Sequence, residues 1–297
     1  MPADLALGTH RCRQVAAAAR RTALGPAPWV DTAPNYQAGR AHEQLAPVLA
    51  AHPSLGLSTK VGVVPVRATA EALDHGVLTV EAARRGYSLA PSYVRWQLER
   101  SIAALGRQPD VVFVHNPERA ERVGEQLAAA FRVLEEEAEG GRIGGYGVAT
   151  WSGLDDEAFD VPSLVEMAHA AARRGTHHLV AVQFPLSLVT AGPVTAALDG
   201  QGPIAEARAH ELEVFASSPL HGGELPGLVT NQLAEFIRPG LSPAGASLLA
   251  VASCPGVTRV LLGCSTAAHW DEALAALADG ALRPDRLRKV LDVLATA

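Results

Sequence analysis

A (β/α)8 barrel of the TIM type, in a single α/β domain spanning residues 1–297, is the fold class this sequence predicts. Two observations carry the prediction: short apolar runs alternate with longer amphipathic ones eight times over, and no internal repeat or low-complexity tract interrupts them. A third adds direction, because several of the apolar runs stop at a polar residue. In a barrel those stops share one mouth.

The elements follow in order. Leu5 to Gly8 reads as the first strand and Gln14 to Ala23 as the first helix; Trp29 to Thr32 and Leu55 to Lys60 are the next strands, with a helix near Glu43 to Ala51 between them. Val61 to Pro91 reads as a long irregular connection, which in a compact domain is usually functional. Tyr93 to Leu105 is helical, with Val94, Leu98, Ile102 and Leu105 along one face. Strand four, Asp110 to His115, ends on a histidine. The helix Gln126 to Ala138 carries Leu127, Ala130, Phe131 and Leu134 and stops at Gly140 and Gly141. Strand five (Ile143 to Val148), helix Pro162 to Arg174, strand six (Leu179 to Gln183), a helix at Ile204 to Ala209 and strand seven (Glu213 to Ala216) continue the alternation. A helix at Pro243 to Ala252, strand eight (Arg259 to Leu262), a helix at His269 to Leu277 and a last C-terminal helix complete it.

Composition narrows the function classes. At 48% hydrophobic and 19% charged residues the chain is globular, and a net charge of −6 offers no basic field for nucleic acid. Three cysteines, Cys12, Cys254 and Cys264, show neither a disulfide framework nor zinc spacing. No apolar run is long enough for a membrane span and the N-terminus lacks a signal-peptide pattern, so a cytoplasmic protein without a membrane or nucleic-acid partner is expected. Dinucleotide-fold, P-loop, H-E-x-x-H and G-x-S-x-G motifs are absent, and no metal site is expected. His42, His52, His177 and His178 flank elements and read as solvated edge residues.

The chemistry-bearing stretch is Trp29 to Tyr36, W-V-D-T-A-P-N-Y, which sets an acid and a phenol five residues apart where a strand ends. Strand three ends at Lys60, one of two lysines among 25 basic residues. A compact, tunable ammonium does there what a guanidinium does not. Asp31, Lys60, His115 and Gln183 close strands two, three, four and six. Singly, Asp31 reads as a turn residue, Lys60 as a snorkelling cation and His115 as a turn residue. On three adjacent strand ends the functional reading is the stronger. The set permits proton donation: Asp31 holds Lys60 charged, the ammonium is expected to lower the Tyr36 pKa, and neutral His115 donates a hydrogen bond to a carbonyl oxygen.

At these residues the sequence resembles the aldo-keto reductase superfamily. The likeness runs through L-A-L-G-T at the start, D-T-A-P-N-Y, S-T-K-V-G at 58 to 62, V-H-N-P-E at 114 to 118, V-Q at 182 and 183, S-P-L at 218 to 220 and L-G-C-S-T at 262 to 266. The resemblance implies Asp31, Tyr36, Lys60 and His115 as a catalytic tetrad with Tyr36 the general acid. It implies reduction of a small carbonyl substrate, an aldehyde or ketone, to an alcohol by NADP(H), with NAD(H) the second candidate. For the cofactor it points to Thr150, Gln183, Ser217, Leu220, Gly263, Ser265, Thr266, His269 and Glu272. Family members commonly have Ser-Asn where this chain has Ala149-Thr150, an aromatic residue where it has Ser217, and an arginine where it has His269. A second reading therefore stays open: a redox-neutral dehydratase or isomerase on the same scaffold.

Overall fold

The computed structural model describes residues 1–295. Eight parallel strands close in sequence order: β1 (Asp4–Gly8), β2 (Trp29–Asp31), β3 (Gly56–Val61), β4 (Val111–His115), β5 (Gly145–Ala149), β6 (Leu179–Pro185), β7 (Glu213–Ser217) and β8 (Arg259–Leu262). Leu5 of β1 pairs with Val260 of β8, which seals the ring and removes both sheet edges. The TIM-barrel expectation holds, with strand boundaries within two residues of the sequence reading.

Helices cover the outside. α1 (Val15–Ala23) and α2 (Ala41–Ala51) follow β1 and β2; α3 (Thr69–Asp74), α4 (Val80–Arg85) and α5 (Pro91–Leu105) follow β3. α6 (Val123–Glu139) follows β4, α7 (Val161–Ala171) follows β5, and α8 (Gly192–Leu198) with α9 (Gly202–Ala209) follow β6. After β7 come α10 (Leu225–Leu228), α11 (Asn231–Ile237) and α12 (Pro243–Ala252), and after β8 come α13 (Ala267–Ala278) and α14 (Pro284–Ala295).

Residues 61–91 correct the sequence reading, since they are not irregular. α3 and α4 fold over their own small core of Val64, Ala72, Leu78, Ala82 and Tyr93. Thr79 caps α4 by accepting from the Ala82 N–H at 3.1 Å, and Gly86 ends it in the left-handed region at φ 66°. Helices of six residues are too short to display a period in sequence. α8, α10 and α11 escaped notice for the same reason. α7 stops at Ala171, short of the expected Arg174, because Ala172 is extended and Arg173 turns to pair with Glu136.

Two apolar layers hold the barrel. The larger lies between strands and helices, where Leu127, Ala130, Phe131 and Leu134 of α6 are fully buried. The smaller fills the interior with Ala6, Val111, Phe113, Ala149, Ala181, Phe215 and Leu261, the Phe113 and Phe215 rings meeting edge-on at 5.3 Å. Gly147 of β5 makes room for that ring: a Cβ there would lie 2.3 Å from the Ala181 carbonyl oxygen and 2.7 Å from Phe113. With its interior plugged by side chains, the barrel leaves only its ends for ligands.

Candidate active site

Strand alternation decides which polar residues enter the barrel. On β3, Ser58 and Lys60 face inward while Thr59 faces the helices. Asp31 pairs in register with Ser58, so the carboxylate lands beside both inward side chains. Ser58 Oγ donates to Asp31 Oδ1 at 2.8 Å, and Lys60 Nζ donates to Asp31 Oδ2 at 2.5 Å and to the Thr32 carbonyl at 3.1 Å. Lys60 is 2% exposed and Asp31 3%. Burial pushes the ammonium pKa down while the carboxylate pulls it up. A charge pair this deep persists only because each partner is hydrogen-bonded as well as paired. Ser58 was missed in the sequence, although its spacing two residues before Lys60 was the available signal.

Tyr36 opens a short 3-10 turn, Tyr36–Gly39, in which Gln37 and Ala38 both sit at φ 54°. Its ring centroid lies 5.3 Å from Lys60 Nζ, 5.0 Å from the His10 ring and 5.9 Å from the His115 ring, the last edge-on. The expected lowering of its pKa does not occur. Burial raises the phenol above its ordinary value and the Asp31 carboxylate raises it further. The ammonium is already neutralised by Asp31, and among the described residues it makes no hydrogen bond to the phenol.

His115 closes β4, and its buried Nδ1 has no hydrogen-bond partner among the described residues. Burial, then Lys60, Arg119 and His10, hold the imidazole well below its ordinary pKa, so the ring is neutral near pH 7. His42 corrects the sequence reading. It is 5% exposed, sits one position into α2 facing β3, and its Nε2 meets Thr59 Oγ1 at 3.0 Å. Burial, then the Lys60 charge, lowers its pKa to about 3. His178 is also engaged, its Nδ1 lying 2.5 Å from the buried Glu135 carboxylate.

These residues open onto one cleft of about 520 Å³ at the C-terminal ends of the strands, lined by Asp31, Tyr36, Lys60, His115, Thr150, Gln183, Ser217, Leu220 and Gly263 among others. Gln183 ends buried, its Oε1 without a hydrogen-bond partner among the described residues. Thr150 is occupied: its Oγ1 donates to Glu118 Oε2 at 2.9 Å and accepts from the Gly153 N–H at 2.8 Å. Glu118 also accepts from the Trp151 N–H at 2.8 Å, tying the loop after β4 to the loop after β5, a role invisible in sequence. Ser265, Thr266, His269 and Glu272 do not line this cleft. Ser265 Oγ accepts from the Arg13 N–H at 3.0 Å, Thr266 caps α13 by accepting from the His269 N–H at 3.3 Å, and Glu272 accepts from Ser242. The His269 side chain is exposed. No group of three or more His, Cys, Asp or Glu among the described residues is placed to hold a metal ion.

The mouth of this closed parallel barrel thus holds a buried acid–lysine pair beside a phenol and a neutral imidazole. The aldo/keto reductase family model matches residues 14–278, and the chain belongs to that family. Solved structures agree in fold. The thermostable aldo-keto reductase Tm1743, solved with the inhibitor epalrestat, is 18% identical with a TM-score of 0.69, over 98% of this chain and 94% of its own. An aldo-keto reductase from Klebsiella pneumoniae in complex with NADPH is 19% identical with a TM-score of 0.67, over 98% and 90%. A Klebsiella pneumoniae structure with NADP and acetate is 19% identical with a TM-score of 0.69, over the same shares. No curated protein sequence matches the chain significantly.

Proposed function

We propose that this protein is an NADP(H)-dependent reductase that converts an aldehyde or ketone to an alcohol, with Tyr36 as proton donor and Asp31, Lys60 and His115 as its partners. The observation that carries the reading is the buried Asp31–Lys60 pair beneath a cleft that Tyr36 and His115 also line, in a member of this family.

The residues divide the work. The raised pKa keeps the Tyr36 proton in place across the physiological range, so the phenol enters each turnover as an acid. Lys60, fixed 5.3 Å from the ring centroid, offsets the Asp31 charge that would otherwise oppose the developing phenolate more strongly as the proton leaves. Ser58 and the Thr32 carbonyl hold Asp31 and Lys60 so that the charge does not move. Neutral His115 donates a hydrogen bond to the substrate oxygen as it becomes negative.

The cofactor set fits the group on two observations. Gln183 Oε1, buried and without a hydrogen-bond partner among the described residues, suits an amide N–H, and the exposed Gly263 backbone lines the cleft with no side chain to cover it. Thr150, Ser217 and Leu220 complete the inner side. Ser265, Thr266 and His269, at the start of α13, would hold the phosphate end, where a helix N-terminus attracts anions, while the acceptor-only Glu272 carboxylate would take an N–H or O–H of the cofactor instead. When bound, NADP(H) supplies the hydride. The redox-neutral alternative draws support from one feature, the saturated Thr150 hydroxyl, which leaves the amide with fewer partners.

NADPH consumption with a panel of aldehydes tests the reading. The wild type should consume NADPH in step with alcohol formed, and Tyr36→Phe should lose about 10²–10⁴-fold in kcat, roughly 3–5 kcal/mol of barrier, with the fold intact. Turnover that proceeds without any nicotinamide would instead establish the redox-neutral reaction.

A further inference from the structure

The cleft carries a charge that the proposed chemistry does not use. Of its lining residues Asp31 and Lys60 cancel, which leaves Arg11 and Arg119 as two positive charges on a chain of net charge −6. Arg11 leans towards Gly222 in the loop after β7, on the side of the proposed cofactor residues. Arg119 comes from the loop after β4, four residues beyond His115 and across the barrel from β8.

The loop holding Arg119 is rigid. The Asn116 N–H donates to the Ala149 carbonyl at 2.6 Å, Pro117 is buried, and Glu118 is anchored to the loop after β5. The Arg119 guanidinium lies 5.1 Å over the Tyr87 ring, and one of its N–H groups donates to the Arg85 carbonyl at 3.2 Å. Stacking on one face and one bond leave most of its five donors free. Neighbouring acids are committed elsewhere: Glu118 to Thr150 and Trp151, Glu81 and Glu121 to Arg85. Among the described residues Arg119 has no acidic partner. Arg119 stands between this cleft and the neighbouring cavity lined by Arg85 and Tyr87, and its oriented guanidinium, without an acidic partner among the described residues, matches the planar fork of a carboxylate at the cleft's lip.

We propose that Arg119 determines specificity for oxo acids, holding the substrate carboxylate at the lip of the cleft while the carbonyl lies at Tyr36 and His115. The proposal rests on the reductase reading for the fate of the carbonyl, though not for the binding of the carboxylate. A single fork suits a monoanion. A phosphate dianion asks for a second cation, which Arg85, paired with two glutamates, does not supply.

The test compares ω-oxo acids of three to six carbons with neutral alkanals of matching length, in the wild type, Arg119→Met and Arg119→Lys. With NADPH, Arg119→Met should raise KM for the best oxo acid by about 10–100-fold at little cost in kcat, leave the alkanals unchanged, and be partly rescued in Arg119→Lys. Calorimetry of the same oxo acids with NADP+ present, which cannot reduce them, reads binding without turnover. Binding lost in Arg119→Met and regained in Arg119→Lys supports the assignment whatever the activity. Equal binding in wild type and Arg119→Met, or none by the wild type across the series, overturns it. Failure of the reductase reading has a separate signature, carboxylate binding with no NADPH consumed for any aldehyde.

Discussion

On β2 and β3 the polar side chains Asp31, Ser58 and Lys60 at the barrel mouth are buried and bonded to one another, whereas between β5 and α13 the residues proposed for the cofactor are mostly engaged within their own loops or exposed. Asp31 holds Ser58 and Lys60 across two strands; Thr150 is tied to Glu118, Thr266 caps its own helix, and His269 stands in solvent. Of the residues proposed for the cofactor, Gln183 is the one with a buried polar atom lacking a hydrogen-bond partner among the described residues. The difference teaches that the proposed acid machinery is part of the folded core, while cofactor binding is a surface property laid over it. Damage to the first side should therefore cost folding as well as chemistry, and damage to the second should cost affinity alone.

The largest expected effect breaks the buried pair. Lys60→Met leaves an unpaired carboxylate 3% exposed and should destabilise the protein by about 3–5 kcal/mol in urea unfolding. The double variant Asp31→Asn/Lys60→Met should recover much of that loss, since it removes the orphaned charge. Equal stability of Lys60→Met and wild type would mean that the pair is not part of the core.

Acid should act on the same side. His42 binds its proton with a pKa of about 3 in the fold against 6.5 in the unfolded chain, so its neutral form contributes stability that is fully present above pH 6.5 and lost as pH falls towards 3. At about pH 4.5 the loss from this one residue is about 3 kcal/mol. His115 adds in the same direction. Thermal melts from pH 7 down to 4.5 should fall steeply for the wild type and less steeply for His42→Gln, which keeps a polar contact to Thr59 without the titration. Parallel curves would remove His42 from the account.

The smallest effect belongs to the second side. His269→Ala should change the ratio of NADPH to NADH affinity by less than about fivefold, because an exposed imidazole offers one hydrogen bond where a guanidinium offers a charged fork. A tenfold or larger change, measured by titration with each nucleotide, would move His269 into the principal phosphate contacts.

What the sequence revealed follows the same division. Asp31, Lys60 and His115 were legible because each stops an apolar run, and strand ends share a mouth in a closed barrel. Closure itself followed from the count of alternations. The direction of the Tyr36 pKa was not legible: a sequence displays the ammonium, but not that Asp31 cancels it and that burial dominates. Glu118 and Thr150 are 32 positions apart and meet only through the packing of β4 beside β5. His42 looked like an edge residue because α2 begins two residues earlier than its periodicity suggests. Short helices such as α3 and α4 are set by caps and a small local core, and neither writes a period into the chain.

That both sides of the mouth serve one nicotinamide-dependent site is the central claim, and a fluorescence titration with NADPH tests it most directly. Trp151 lines the cleft with Gln183 and is 59% exposed, so bound nicotinamide should quench its emission and accept energy from it. Saturable quenching is expected, unchanged in Tyr36→Phe and with about tenfold weaker affinity in Gln183→Leu, which loses a single buried hydrogen bond to the amide. A flat titration, with neither NADPH nor NADH altering the emission at millimolar concentration, would contradict it.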